Sequence, residues 1–202
     1  MNQPLEDDDT KVSNDQFVVA LRLRWGLPLW PWTPSSWPCR CAYHRHGGVL
    51  AADLSIRALS CHFGDFVYRR HDVLIRKILR IGTKASCTLI GRHRNFRTLG
   101  VPTGGRRDED AVDGVFWRGP AGRAVVFDVG IIDPRGRDGV QAALDRWGGA
   151  AGAQSAQKHS YYGRDLAAAG WSFWALVWET HGFSTPAVRH LLTAFAAHQF
   201  SD

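Results

Sequence analysis

No stretch of this 202-residue chain approaches the roughly 18 consecutive apolar residues of a membrane-spanning helix; the charge-free run from Leu166 to Trp178 is too short. No export signal is expected either, since Met1 to Thr10 is acidic where a secretory leader is basic and then apolar. Cysteine is sparse. Four residues, two of them separated by a single residue at Cys39 and Cys41, make no disulfide framework, which points to a reducing compartment and away from secretion. Lysine is equally scarce: the 25 basic residues include only Lys11, Lys77, Lys84 and Lys158, leaving 21 arginines. That skew fits codon bias, so abundant arginine says little about phosphate binding and each lysine stands out. There is no internal repeat, no polymerase motif, and no local signature for thiol catalysis by Cys61 or Cys87.

What is present suffices for a core. A 45% hydrophobic and 11% aromatic content excludes a wholly disordered or collagen-like chain. The charge divides unevenly: residues 1 to 10 contribute −4 of the total +6, so the remainder carries +10. A basic body favours polyanionic partners such as nucleic acid, with simple solubility as the plainer alternative.

Three regions follow from composition. Residues 1–15 form an acidic tail expected to be disordered. Residues 16–65 hold a Trp/Pro-rich linker, with Trp30, Trp32 and Trp37, and a loop-rich cysteine knuckle. Residues 66–202 read as an α/β domain. Phe66 to Ile81 predicts an amphipathic basic helix with Val67, Val73, Leu74, Ile78 and Ile81 on its apolar stripe. Gly91 to Asp110 reads as a polar loop, and Val112 to Ile132 as two strands about Gly119-Pro120-Ala121-Gly122. Asp138 to Ala169 is helical with a break near Gly148-Gly149, Trp171 to Trp178 is a strand, and a last helix starts after Ser184 and buries Val188, Leu191, Leu192 and Phe195.

The strand from Ala124 to Ile132 is apolar on both faces, the pattern of a central strand, yet carries Asp128 in its middle. A lone carboxylate there costs several kcal/mol unless it is paired or hydrogen-bonded. Folding the hairpin between Pro120 and Ala121 sets Asp113 opposite Asp128, with Cβ atoms about 4.5–5.5 Å apart. Like charges so placed repel, and a hard cation such as Mg²⁺ (or Mn²⁺) takes two carboxylates at that spacing. The alternative is that Asp113 caps a loop while Asp128 accepts backbone hydrogen bonds, and a one-residue slip would separate them. Lys158, in the Ala-rich helix and followed one turn later by Tyr161 and Tyr162, could neutralise charge developing on a phosphate, or be a solvated helix lysine. Glu179 could be a further ligand or a charge at a strand end, with a supporting position near the site preferred.

Several stretches then fall in one order: Ala20 to Pro28 before Cys39-Arg40-Cys41, Ala58-Leu59-Ser60-Cys61, Arg70-His71-Asp72, Asp113-Gly114-Val115, Phe127-Asp128-Val129, Lys158 with its following tyrosine, and Glu179-Thr180-His181-Gly182. Over residues 20 to 198 this resembles the C-terminal region of non-LTR retrotransposon polyproteins, which carries a restriction-like endonuclease behind a zinc knuckle. The resemblance implies a PD-(D/E)XK fold, a restriction-endonuclease-like mixed sheet flanked by helices. Asp113 and Asp128 would be its two motif aspartates and Mg²⁺ ligands. Lys158 would be the catalytic lysine carried on a helix, since Gly130 stands two positions after Asp128. Arg69, Arg70, His71, Arg76 and Lys77 would hold nucleic acid, and Tyr162 and Glu179 would support the site. Cys39, Cys41 and Cys61 would supply three of the four Zn²⁺ ligands such a knuckle needs; no histidine sits at the family spacing for the fourth. Val112 replaces the proline before the first aspartate, and Gly91-Arg92-His93-Arg94 stands where an acid is often found. The expected function is a metal-dependent endonuclease nicking DNA in the nucleus of a eukaryotic cell, or otherwise in the cytoplasm. The alternative is a catalytically degenerate nucleic-acid-binding remnant, on DNA or RNA, separated from an upstream polymerase domain.

Overall fold

The computed structural model describes residues 36–37, 49–50, 66–102, 110–118, 124–134, 139–180 and 182–199. The acidic tail, Cys39, Cys41, Cys61 and the turn at Gly119 to Gly122 lie outside the described residues. The chain divides into two compact units, Met1–Val67 and Tyr68–Asp202. In the first, β1 (Ser36–Trp37) and β2 (Val49–Leu50) pair antiparallel.

The second unit is α/β, a four-stranded mixed sheet flanked by helices. Its elements are α1 (Phe66–Lys84), β3 (Thr88–Asn95), β4 (Ala111–Arg118), β5 (Val125–Ile132), α2 (Val140–Asp145), α3 (Gly149–Lys158), a π-helical turn (His159–Gly163), α4 (Arg164–Ala168), β6 (Ser172–Glu179) and α5 (Pro186–Gln199). The strands lie in the order β3-β4-β5-β6: three form an antiparallel meander, and β6 returns through the α2–α4 crossover to run parallel to β5. As the apolar run requires, β5 is central, with its first six residues buried.

Strand alternation sorts the core into two layers. Phe116, Phe127, Val129 and Leu176 pack against Ile75, Ile78 and Leu79 of α1 and Val188, Leu191 and Phe195 of α5. Val115, Val126 and Phe173 face the other way, toward Leu166 and Tyr162, while Ala175 and Val177 take Ala151 of α3. This second face carries Asp128 and Gly130, because both are an even number of residues from Val126.

Three expectations need correction. The polar stretch beginning at Gly91 contains most of β3, an edge strand whose side chains are largely exposed, so no apolar alternation marks it. On α1 the buried stripe is Ile75, Ile78 and Leu79; Val73 and Ile81 are 43% and 41% exposed. Leu192 of α5 is exposed as well, one position off the buried line through Val188, Leu191 and Phe195.

Candidate active site

The hairpin register decides which side chains meet. Phe116 pairs with Val125, Val115 with Val126 and Gly114 with Phe127; one further step sets Asp113 against Asp128. The ladder ends at Gly114, and past it the Asp113 carboxylate fills the gap between the strands: its Oδ2 accepts the Val129 amide at 2.7 Å. From that gap Asp113 is also reached by α1, where His71 Nε2 lies 3.1 Å from Asp113 Oδ2 and 3.3 Å from the Val129 carbonyl oxygen. Both neighbours are acceptors, so Nε2 carries the proton and donates it. The carboxyl groups of Asp113 and Asp128 are near enough that each acts on the other's protonation. Both are buried, at 6% and 7% exposure.

Lys158 comes from the crossover. Its ammonium donates to Asp128 Oδ2 in a direct ion pair. The route is open because residue 130 is glycine: a Cβ there would stand 3.1 Å from Lys158 Cε and 2.9 Å from Gln154 Oε1. The lysine stem thus lies over the position two residues after Asp128, and a side chain at that position would displace it.

The electrostatics separate the two acids. Burial pushes Asp128 up to about 7, with the neighbouring Asp113 adding to the rise and Lys158 opposing it. Burial acts on Asp113 too, but the hydrogen bonds from His71 and the Val129 amide outweigh it and hold that carboxyl below its ordinary range. The same bond to Asp113 raises His71 above its usual value, against desolvation. One acid is therefore held ionised while the other is poised near neutrality, a pattern that concentrates at functional sites.

The remaining candidates spread around this centre. Tyr162 lies in the π-helical turn directly after α3, with ring centroids 5.7 Å from Phe96 and 5.6 Å from Phe173; burial, joined by the Asp128 charge, lifts its phenol to about 12. Glu179 stands elsewhere. It pairs in register with Ile132, four residues or about 13 Å along from Asp128. Its Oε1 accepts the Ala151 amide at 3.1 Å in the first turn of α3, where the helix dipole favours a carboxylate. It therefore anchors the helix that delivers Lys158 from its far end.

Arg69, Arg76 and Lys77 are exposed along α1. Arg70 is half-buried, with its Nε unpaired; burial lowers its pKa and Asp133 opposes that. His71, grouped with these residues from the sequence, turns inward to Asp113. Sequence reasoning missed His93, which stands across the sheet from Asp113, and Gln154, whose buried Oε1 has no hydrogen-bond partner.

Two carboxylates with the adjacent Val129 carbonyl form an all-oxygen donor set suited to a hard divalent cation that keeps several waters. Among the described residues no three His, Cys, Asp or Glu groups converge into a preformed cage, so such an ion would rest on this pair, backbone and water. Among them, too, no helix is long and apolar enough to cross a membrane. Comparison of the chain with protein-family models, curated proteins and solved structures found no match.

Proposed function

We propose that this chain is a metal-dependent DNA endonuclease that nicks one strand, built on the restriction-endonuclease-like fold of non-LTR retrotransposon polyproteins. The observation that carries the reading is the pair of buried acids, Asp113 and Asp128, brought side by side by the β4–β5 register on an apolar sheet, with the Lys158 ammonium on one of them. Burying a second acid, Asp128, beside Asp113 costs folding free energy, and a phosphodiesterase site uses such a pair to hold a metal ion. The helix–meander–helix–strand order of the second unit is consistent with that fold.

Asp113 and Asp128 would hold Mg²⁺ or Mn²⁺, which when bound lowers the pKa of a water and neutralises phosphate charge. Asp113, kept ionised by His71 and the Val129 amide, supplies a fixed anion. With a cation held by Asp128, the Lys158 ammonium, now its ion-pair partner, would be left to hold the attacking water or to balance charge developing on the phosphate. Exposed Arg69, Arg76 and Lys77 contact the DNA backbone and position it. Zn²⁺ binding by Cys39, Cys41 and Cys61 is a separate proposal, checked by metal analysis of protein purified without chelator, where about one zinc per chain is expected and none would remove it.

The ion pair between Lys158 and Asp128 favours one second reading, a nucleic-acid-binding remnant in which the lysine has taken the cation's place. A plasmid assay separates the two. With Mg²⁺ or Mn²⁺ the full chain is expected to convert supercoiled plasmid to nicked circle, and Asp128→Asn to retain DNA without cutting it. Cutting that persists in Asp128→Asn refutes the site; parent protein that binds DNA and never cuts it establishes the second reading.

A further inference from the structure

The row of side chains across the sheet extends one strand beyond the two aspartates. In the β3–β4 ladder Gly91 pairs with Val115, Arg92 with Gly114 and Arg94 with Val112, so His93 stands opposite Asp113. His93, Asp113 and Asp128 thus occupy one line over three adjacent strands. His93 breaks the strand conformation to do so: its φ is +49°, in the left-handed region that a non-glycine residue rarely enters and that concentrates at functional sites. Its ring is half-exposed, and Nδ1 faces Asp113 Oδ1 at 3.6 Å.

The other ring nitrogen is held. Arg92 Nε donates to His93 Nε2 at 2.9 Å, and Asp72 Oδ1 holds the Arg92 Nη2 at 2.6 Å. A nitrogen that accepts from a guanidinium carries no proton of its own, so the ring proton sits on Nδ1. At 3.6 Å the Asp113 oxygen lies beyond a normal hydrogen bond, which leaves this N–H of the half-exposed ring uncommitted beside Asp113.

We propose that His93 is a substrate-contacting residue whose Nδ1–H donates to a non-bridging phosphate oxygen of the DNA backbone, with Arg92 and Asp72 as the residues that position it. The inference rests on the phosphodiesterase reading and deepens it by naming a donor for the phosphate. Nothing in the sequence near Gly91 to Arg94 marks this role, which exists only because β3 pairs in that register.

Two measurements test it. In nicking assays His93→Ala should lower kcat by about tenfold to a hundredfold, with a smaller loss of DNA affinity. His93→Asn, whose side-chain amide can place an N–H near Nδ1 and which tolerates positive φ, should recover most of that loss. His93→Gly relieves the backbone without restoring the donor and should stay slow. Independently of cutting, ¹⁵N–¹H spectra of labelled full chain should show the His93 proton on Nδ1, with its resonance moving downfield when a short duplex is added with Ca²⁺. Arg92→Met should let the proton redistribute to Nε2. A proton on Nε2 in the parent, an Nδ1–H unmoved by duplex, or parental kcat in His93→Ala overturns the proposal. A parent that never cuts, with the resonance still shifting on duplex, sinks the nuclease reading and leaves the phosphate contact standing.

Discussion

Burying two carboxylates beside one another on an apolar sheet should cost stability, and the cost should depend on pH in one direction. Asp128 is raised from an ordinary 3.8 to about 7. Below pH 3.8 both folded and unfolded chains hold the proton and the group contributes nothing. Between 3.8 and about 7 the unfolded chain has released the proton and the folded chain has not, so stability falls by about 1.4 kcal/mol per pH unit. The full swing is about 4 kcal/mol above pH 7, since the shift spans roughly three units. Asp128→Asn removes the charge while keeping the shape, so it should stabilise the protein at pH 8 by that amount. For a folded unit of this size the gain is on the order of 10 °C in Tm. At pH 4 the variant and parent should melt together. Calorimetry at the two pH values is the assay, with Mg²⁺ raising Tm at pH 8 for the parent alone. An Asp128→Asn variant that melts at or below the parental temperature at pH 8 would refute the reasoning, because the carboxylate would then be a net stabiliser and not a strained site.

Other changes should separate chemistry from scaffold. Gly130→Ala places a Cβ against flexible ends of Lys158 and Gln154; nicking should drop at least about tenfold with Tm little changed, and unaltered nicking would mean that the lysine position is unimportant. Glu179→Ala leaves the Ala151 amide of α3 without its acceptor and should cost about 1–2 kcal/mol in denaturant unfolding. Replacing Arg69, Arg76 and Lys77 together by glutamine should flatten the slope of log affinity against log salt by about 2–3, and an unchanged slope would remove α1 from the DNA contact.

Sequence patterns carried the centre of the sheet further than its edge. The apolar run of β5 and the turn chemistry between β4 and β5 set the register through Gly114 and Phe127, and with it the meeting of Asp113 and Asp128. Beta-strand β3 was hidden because an edge strand bearing Arg92, His93 and Arg94 has the composition of a loop. The α1 stripe was misplaced at Val73 and Ile81 because Val, Leu and Ile occur all round the helix, and only packing against Phe127 and Leu176 selects Ile75 and Leu79. Long-range partners were the least legible. That Lys158 reaches Asp128, that His71 turns from the basic surface of α1 to Asp113, and that Glu179 anchors α3 all depend on how helices cross the sheet. No local spacing encodes those crossings.

The most direct measurement is a titration of Mn²⁺ into the full chain, following the spin-resonance signal of the free ion. The parent is expected to withdraw Mn²⁺ from solution, and Asp113→Asn and Asp128→Asn each to leave it free. A parent that binds none, or two variants that bind as the parent does, would contradict a shared cation as the reason these two acids lie together.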